Sequence, residues 1–419
     1  MPDTAFLNTA LRIAGALCRD AVWDRDRCTW LGWAALPSGQ AVQYTWRAQG
    51  SGLYEGTAGV ALFLSQAHRF APDPILKATA LGALNCALSR RDNLPVELRP
   101  SLFHGWAGIA HACLVSARAL DEPDLFDRGI ELLSALKEIA PSDQWLDLTN
   151  GSAGAIQALL HAARAFGQTQ LVDIAVTHGS HLLRTARADG HGASWRSEGD
   201  QHLLGYAHGS AGVACALLEL AAATGDASYR NMALEAFRFE RLHFDSQHRA
   251  WPDLRSSEAD LPRVFSDGWC HGAPGVGFSR LRAYELGMSG DELSMEIDAA
   301  VQRTAASLHA AEVSTDTMSF SLCHGIAGNA AFLLETAQAL GRHDLRLIAE
   351  SAGRTGMARH EFAGQPWPCG AGTARETPGL MLGLAGIGLF FLQLYDALSV
   401  PGVLLICDRT AVRHSTVAT

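Results

Sequence analysis

Ser101-Leu102-Phe103-His104-Gly105-Trp106-Ala107-Gly108 runs directly into a nearly unbroken apolar stretch, Ile109 to Ala117, and the same device recurs six more times along the chain. A Gly-x-x-Gly pair opens an apolar stretch at Gly56/Gly59, Gly105/Gly108, Gly151/Gly154, Gly209/Gly212, Gly272/Gly275, Gly325/Gly328 and Gly383/Gly386. Successive first glycines lie 46 to 63 residues apart, and seven copies at such a period mean one repeat architecture rather than several unrelated domains.

Stretches that are apolar all round, such as Val60 to Leu64, have to be buried helices. Between them lie amphipathic stretches with helical periodicity: Ala5 to Val22, Leu76 to Leu88, Asp124 to Ile139, Leu171 to Arg187, Ser228 to Leu242, Met295 to Ala310 and Leu345 to His360. Seven polar-faced outer helices alternating with seven apolar inner ones bury both sets by closing into two concentric rings. The expectation is an all-α fold, an α/α toroid or double α-barrel, as a single domain over residues 1–419, with few or no strands within the rings. The glycines are expected where a tight turn needs positive φ or a close backbone approach.

Bulk properties narrow the function. The chain has 419 residues, 48% of them hydrophobic and 18% charged, and a formal net charge of −10 without a basic stripe, which argues against nucleic acid as a partner. The N-terminus lacks the positive cluster of a secretory signal, so a cytoplasmic location is expected. The longest uncharged run, Thr377 to Tyr395, is broken by glycines and fits the repeat better than a membrane span. Nine cysteines without regular spacing do not suggest disulfides, and most sit in apolar helical stretches as small buried hydrophobes.

In a toroid the turns before the inner helices converge at one end of the central cavity. Reading those turns gives Tyr54-Glu55, Phe103-His104, Asp147-Leu148-Thr149-Asn150, Tyr206-Ala207-His208, Trp269-Cys270-His271, Leu322-Cys323-His324 and Met381-Leu382. The fifth and sixth copies both read Cys-His-Gly. Two thiolates and an imidazole brought to one face suit zinc, and the missing fourth protein ligand leaves an open catalytic position. The ligands expected are Cys270, Cys323 and His324, with His271 the other imidazole on offer and His104 without an assigned role. The competing reading makes the two cysteines space-filling thiols.

The glycine series, Trp269-Cys270-His271-Gly272-Ala273-Pro274-Gly275 and Leu322-Cys323-His324-Gly325 together resemble the lanthionine synthetase C-like family, the cyclases of lanthipeptide biosynthesis. The closing pattern Pro378-Gly379-Leu380-Met381-Leu382-Gly383-Leu384-Ala385-Gly386-Ile387-Gly388, with the stretch from Val400-Pro401 to Cys407, is most similar to the C-terminal cyclase domain of the class II synthetases. The large dehydratase domain that precedes it there has no counterpart in this sequence, so a stand-alone cyclase is expected.

The resemblance implies a zinc ion held by Cys270, Cys323 and His324, with an Asp and a His beside it that fall on Asp147 and His208. It also implies a dehydrated precursor peptide as substrate, a separate dehydratase or kinase-lyase, and a transporter. Several single-function members carry an Arg shortly before the Trp-Cys motif, where this chain has Phe265-Ser266-Asp267-Gly268. The implied chemistry is addition of a cysteine thiol to dehydroalanine or dehydrobutyrine, closing a lanthionine or methyllanthionine ring, with His208 as acid and Asp147 orienting it. Three alternatives remain at this stage: addition of glutathione or another thiol to a dehydroamino acid, a non-catalytic peptide-binding toroid with structural zinc, and a carbohydrate-active toroid using Glu55 and Asp147. For Asp147 a helix-capping role competes as well.

Overall fold

A computed structural model describes residues 3–38, 41–197, 200–256, 262–314, 318–372 and 375–407. Fourteen α-helices follow one another among them: α1 (Thr4–Arg19), α2 (Thr57–Phe70), α3 (Pro74–Ser89), α4 (Trp106–Leu120), α5 (Pro123–Ala135), α6 (Ser152–Ala165), α7 (Leu171–Thr185), α8 (Ser210–Thr224), α9 (Ala227–Leu242), α10 (Ala273–Glu285), α11 (Asp291–Val313), α12 (Ile326–Leu340), α13 (His343–Gly356) and α14 (Leu384–Tyr395). Each even-numbered helix starts one residue after the first glycine of a repeat, and each odd-numbered one is an expected outer helix. The architecture is the α/α toroid.

The helices divide as their sequences require. Every residue of α2 from Thr57 to Ala67 is buried, and so is every residue of α8 from Ser210 to Leu220. The outer helix α9 buries one stripe, Tyr229, Ala233, Ala236, Phe237 and Glu240, whose spacing of three and four residues keeps it on one face. Outer helices begin with side-chain caps where the sequence supplies them: the carboxylates of Asp3, Asp73 and Asp226 accept the amides of Ala5, Ile75 and Ser228.

Inner helices begin on glycine with no side-chain cap, and the reason differs from half of the expectation. None of the fourteen repeat glycines is among the positive-φ residues. They are needed for close approach. A Cβ on Gly325 would sit 2.5 Å from the carbonyl oxygen of Ser319 and 2.7 Å from that of Ser321, and one on Gly275 would sit 2.9 Å from the Tyr206 Cβ.

Two compact units are distinguished by their internal contacts, one made of residues 1–95, 103–132 and 308–401 and the other of 96–102, 133–307 and 402–419. In the first, α1 packs on α14 and α2 on α3, α4 and α14, while α12 packs on α13 and α14. In the second, α8 is the hub, touching α6, α7, α9 and α10. Strands are confined to connections. β1 (Val22–Asp24) pairs with β2 (Arg27–Thr29), β3 (Leu31–Ser38) with β4 (Ala41–Ala48), and β5 (Arg187–Asp189) with β6 (Gly192–Ser194), all antiparallel. Among the described residues no helix is long and apolar enough to cross a membrane, and the run from Thr377 to Tyr395 resolves into a turn followed by α14.

A buried charge network holds the second unit. Arg280 Nη1 and Nε lie 2.8 Å from Glu240 and 2.8 Å from Glu296, all three fully buried, and Arg241 Nε reaches Glu296 at 2.8 Å. Glu240 Oε1 also accepts the amides of Gly205 and Ala211, each at 3.0 Å. Those two amides bracket the turn that carries His208, so the network fixes the entrance to α8. Removing one partner from such a group leaves an uncompensated buried charge, which makes the turn's geometry costly to change.

A neutral histidine adds a pH dependence to the same unit. His178 on α7 is buried with Nδ1 3.0 Å from the Ser152 hydroxyl, and burial pulls its pKa down to about 4. The unfolded chain binds this proton near pH 6.5 and the folded chain only near pH 4, so stability is lost as pH falls from 6.5 toward 4. The loss is expected to reach roughly 3 kcal/mol at most. In urea unfolding between pH 7 and pH 4.5, His178→Gln should have a flatter stability profile than the wild type. Equal slopes would contradict this origin.

Candidate functional site

The residue two places before each first glycine forms a recurring backbone register. In the first unit the amide of Cys323 donates to the carbonyl of Met381 at 3.0 Å, Met381 donates to Tyr54 at 2.8 Å, and Tyr54 donates to Phe103 at 2.9 Å. In the second unit Thr149 donates to Ala207 at 3.3 Å and Ala207 to Cys270 at 3.2 Å. Within each unit these turns are thus stitched together through equivalent atoms, and the side chain that follows, immediately before the glycine, is Glu55, His104, Asn150, His208, His271, His324 or Leu382. The repeat therefore presents its polar residues in register.

The second unit brings Asp147 and His208 together. Asp147 Oδ2 lies 2.9 Å from His208 Nδ1, while Oδ1 accepts the Asn150 amide at 2.6 Å and the Thr149 hydroxyl at 3.2 Å. Burial alone pushes the Asp147 carboxyl up, but the hydrogen bond and charge of His208, with the Asn150 amide and the Thr149 hydroxyl, outweigh it and hold the group below the ordinary range. An ionised carboxylate only accepts, so the proton on Nδ1 points at Asp147 and the imidazole is oriented with Nε2 on its far side. The Asp147 carboxylate takes the amide of its own turn, not one inside α6, so capping does not account for it.

His271 stacks on His208, ring centroids 5.3 Å apart and planes 20° from parallel. Burial pulls its pKa down to about 4, which keeps it neutral near pH 7 and spares His208 a second cation at its face.

The first unit holds Cys323 and His324 on the turn before α12. Cys323 is buried and receives the Tyr54 hydroxyl on Sγ at 3.0 Å. His324 is exposed, with the Gly370 loop close behind it: a Cβ on Gly370 would come within 2.9 Å of His324 Nε2. His104 rests against Tyr54 at 5.6 Å between centroids, and Glu55 pairs with Arg47 at 3.1 Å. Neither Tyr54 nor Thr149 carries an assigned role in the sequence reading.

Cys270 stands on the turn before α10 in the second unit, and Cys323 and His324 stand on the turn before α12 in the first; together they are a donor group that could hold a metal ion. Two thiols and one imidazole fit a borderline-soft cation such as zinc in both donor type and number. By contrast Cys28, Cys113, Cys215 and Cys369 are buried thiols whose pKa burial pushes up to about 12, and nothing marks them as ligands.

Comparison with known proteins gives matches of three kinds, to a family model, to a curated relative and to solved structures. The family model described as lanthionine synthetase C-like protein matches residues 47–405. The lacticin 481/lactococcin biosynthesis protein LcnDR2 of Lactococcus lactis is 26% identical over 189 residues, 45% of this chain, so the chain's match spans about a fifth of that relative's length, 20%. Among solved structures, nisin cyclase superposes with a TM-score of 0.66 at 16% identity, covering 95% of this chain and 96% of its own. A Klebsiella pneumoniae protein described as a possible member of the GH105 family superposes at 0.51 and 12% identity, over 94% of this chain and 93% of its own. At these identities the superpositions show a shared toroid, and a shared toroid does not by itself fix a chemistry.

Proposed function

Because the chain belongs to the lanthionine synthetase C-like family, we propose that it is a zinc-dependent lanthipeptide cyclase that closes thioether rings in a dehydrated precursor peptide. The observation that carries this reading is the Cys270, Cys323 and His324 donor set. A carbohydrate-active toroid would leave that set unused, and Glu55, one of the two carboxylates it would need, is paired with Arg47. A zinc ion held by these three residues would, when bound, stabilise the thiolate form of a substrate cysteine near neutral pH.

The protein's own residues complete the addition. The substrate sulfur forms a bond to the β-carbon of a dehydroalanine or dehydrobutyrine, and its former proton leaves to a base or to solvent. Electron density moves to the α-carbon and its carbonyl as an enolate. His208 delivers a proton from Nε2 to the α-carbon, and Asp147 holds the ring through Nδ1 and stabilises the imidazolium before transfer. One proton is lost and one gained, so the product is an isomer of the substrate. The neutral His271 ring fixes the second face of His208.

Elemental analysis of the purified wild-type protein tests the reading. About one zinc per chain is expected. No zinc after careful reconstitution would remove the basis for thiol activation and turn the account toward a peptide-binding toroid.

A further inference from the structure

Tyr54 stands in the first repeat at the register that holds cysteine in the fifth and sixth, two residues before the first glycine. Its hydroxyl donates to Cys323 Sγ at 3.0 Å. Three constraints aim it there. The Tyr54 amide donates to Phe103 and its carbonyl accepts from Met381, and that same Met381 carbonyl receives the Cys323 amide. Tyr54 and Cys323 therefore hang from opposite sides of one residue. The ring is held edge-on by Phe103, with centroids 6.0 Å apart and planes at 79°, and is covered by His104.

We propose that Tyr54 is a positioning residue for the metal-binding sulfur of Cys323, a role that rests on the zinc reading above. The hydrogen bond does two things. It fixes the orientation of the Cys323 side chain, so less conformational freedom is lost when a metal is bound. It also draws electron density from the sulfur, so this ligand donates less charge to the metal and competes less as a nucleophile with the substrate thiol. A sulfur that is a resident ligand should stay inert while the incoming sulfur reacts. A hydroxyl aimed at the former and fixed by the backbone register provides that distinction.

Tyr54→Phe removes the hydroxyl and keeps the ring. With cobalt substituted for zinc, the sulfur-to-metal charge-transfer absorption of this variant is expected to shift from the wild-type position, and zinc is expected to pass to a competing chelator about 10- to 100-fold faster. Tyr206→Phe, which removes a hydroxyl from the sulfur of Cys215, a thiol outside the donor set, is the comparison and should keep the wild-type spectrum. Thermal melting establishes that both variants are folded. A wild-type spectrum and wild-type chelator rate in Tyr54→Phe would overturn the proposal while leaving the zinc site standing, and so would an equal spectral shift in both variants. If the wild-type protein takes up no cobalt or zinc at all, the zinc reading falls and this inference falls with it.

Discussion

Cys323→Ala is expected to lose its zinc and to form thioether rings no faster than the uncatalysed background. The substitution removes one of the three proposed ligands and leaves the Tyr54 hydroxyl without its sulfur partner. Losing an outer-shell partner typically costs 10- to 100-fold in affinity or activity, so loss of a ligand should exceed about a hundredfold. The fold should survive, because the turn before α12 is held by backbone hydrogen bonds that the substitution does not touch: Cys323 to Met381, Ile326 to Ser319 and Gly328 to Ser321. Metal analysis, a melting curve and a rate on one preparation separate these outcomes. A folded Cys323→Ala protein that keeps both zinc and activity would show that the cysteine fills space.

His208→Asn is expected to retain zinc but to lower the rate of ring formation by about a hundredfold to ten-thousandfold, the span usual for removal of a positioned proton donor. Asparagine keeps a polar group within reach of Asp147 but cannot shuttle a proton at neutral pH. The split between metal content and rate is the informative part. Loss of both together would mean that His208 supports the metal instead of delivering the proton, and a rate within about threefold of the wild type would remove it from the mechanism altogether.

The helical frame was legible because its signal repeats. Seven glycine pairs, each followed by an apolar helix, locate all seven inner helices, and the structure starts each one residue after the first glycine of its pair. Boundaries of the outer helices drifted for local reasons. The first was expected to reach Val22 and ends at Arg19, since Val22 pairs with Thr29 in a hairpin. The last was expected to run to His360, but its α geometry stops at Gly356 and gives way to a wider turn over Met357–Phe362. The β3–β4 hairpin lies in a connection, where eight residues per strand carry too weak a pattern to stand out beside fourteen helices.

In the candidate site, the register of Cys270, Cys323 and His324 could be read directly, as could that of Asp147 and His208, because each sits at a fixed place before a repeat glycine. The partners that tune them could not. The Tyr54 hydroxyl meets a sulfur 269 residues away, and Thr149 reaches a ring 59 residues away, contacts that depend on how repeats are stitched together and not on local spacing. The stack of His271 on His208 is of the same kind. Sequence placed His271 beside Cys270, and only the fold shows its ring lying on His208.

This chain is expected to join a cysteine thiol to a dehydroamino acid in the same peptide. The direct measurement is mass spectrometry of a dehydrated peptide containing one cysteine and one dehydroalanine a few residues apart, treated with zinc-loaded protein and then with a thiol alkylating agent. The expected product has unchanged mass, no longer takes up the alkylating agent, and forms well above the rate without protein. A peptide that remains fully alkylated after prolonged incubation with zinc-loaded wild-type protein would contradict this expectation.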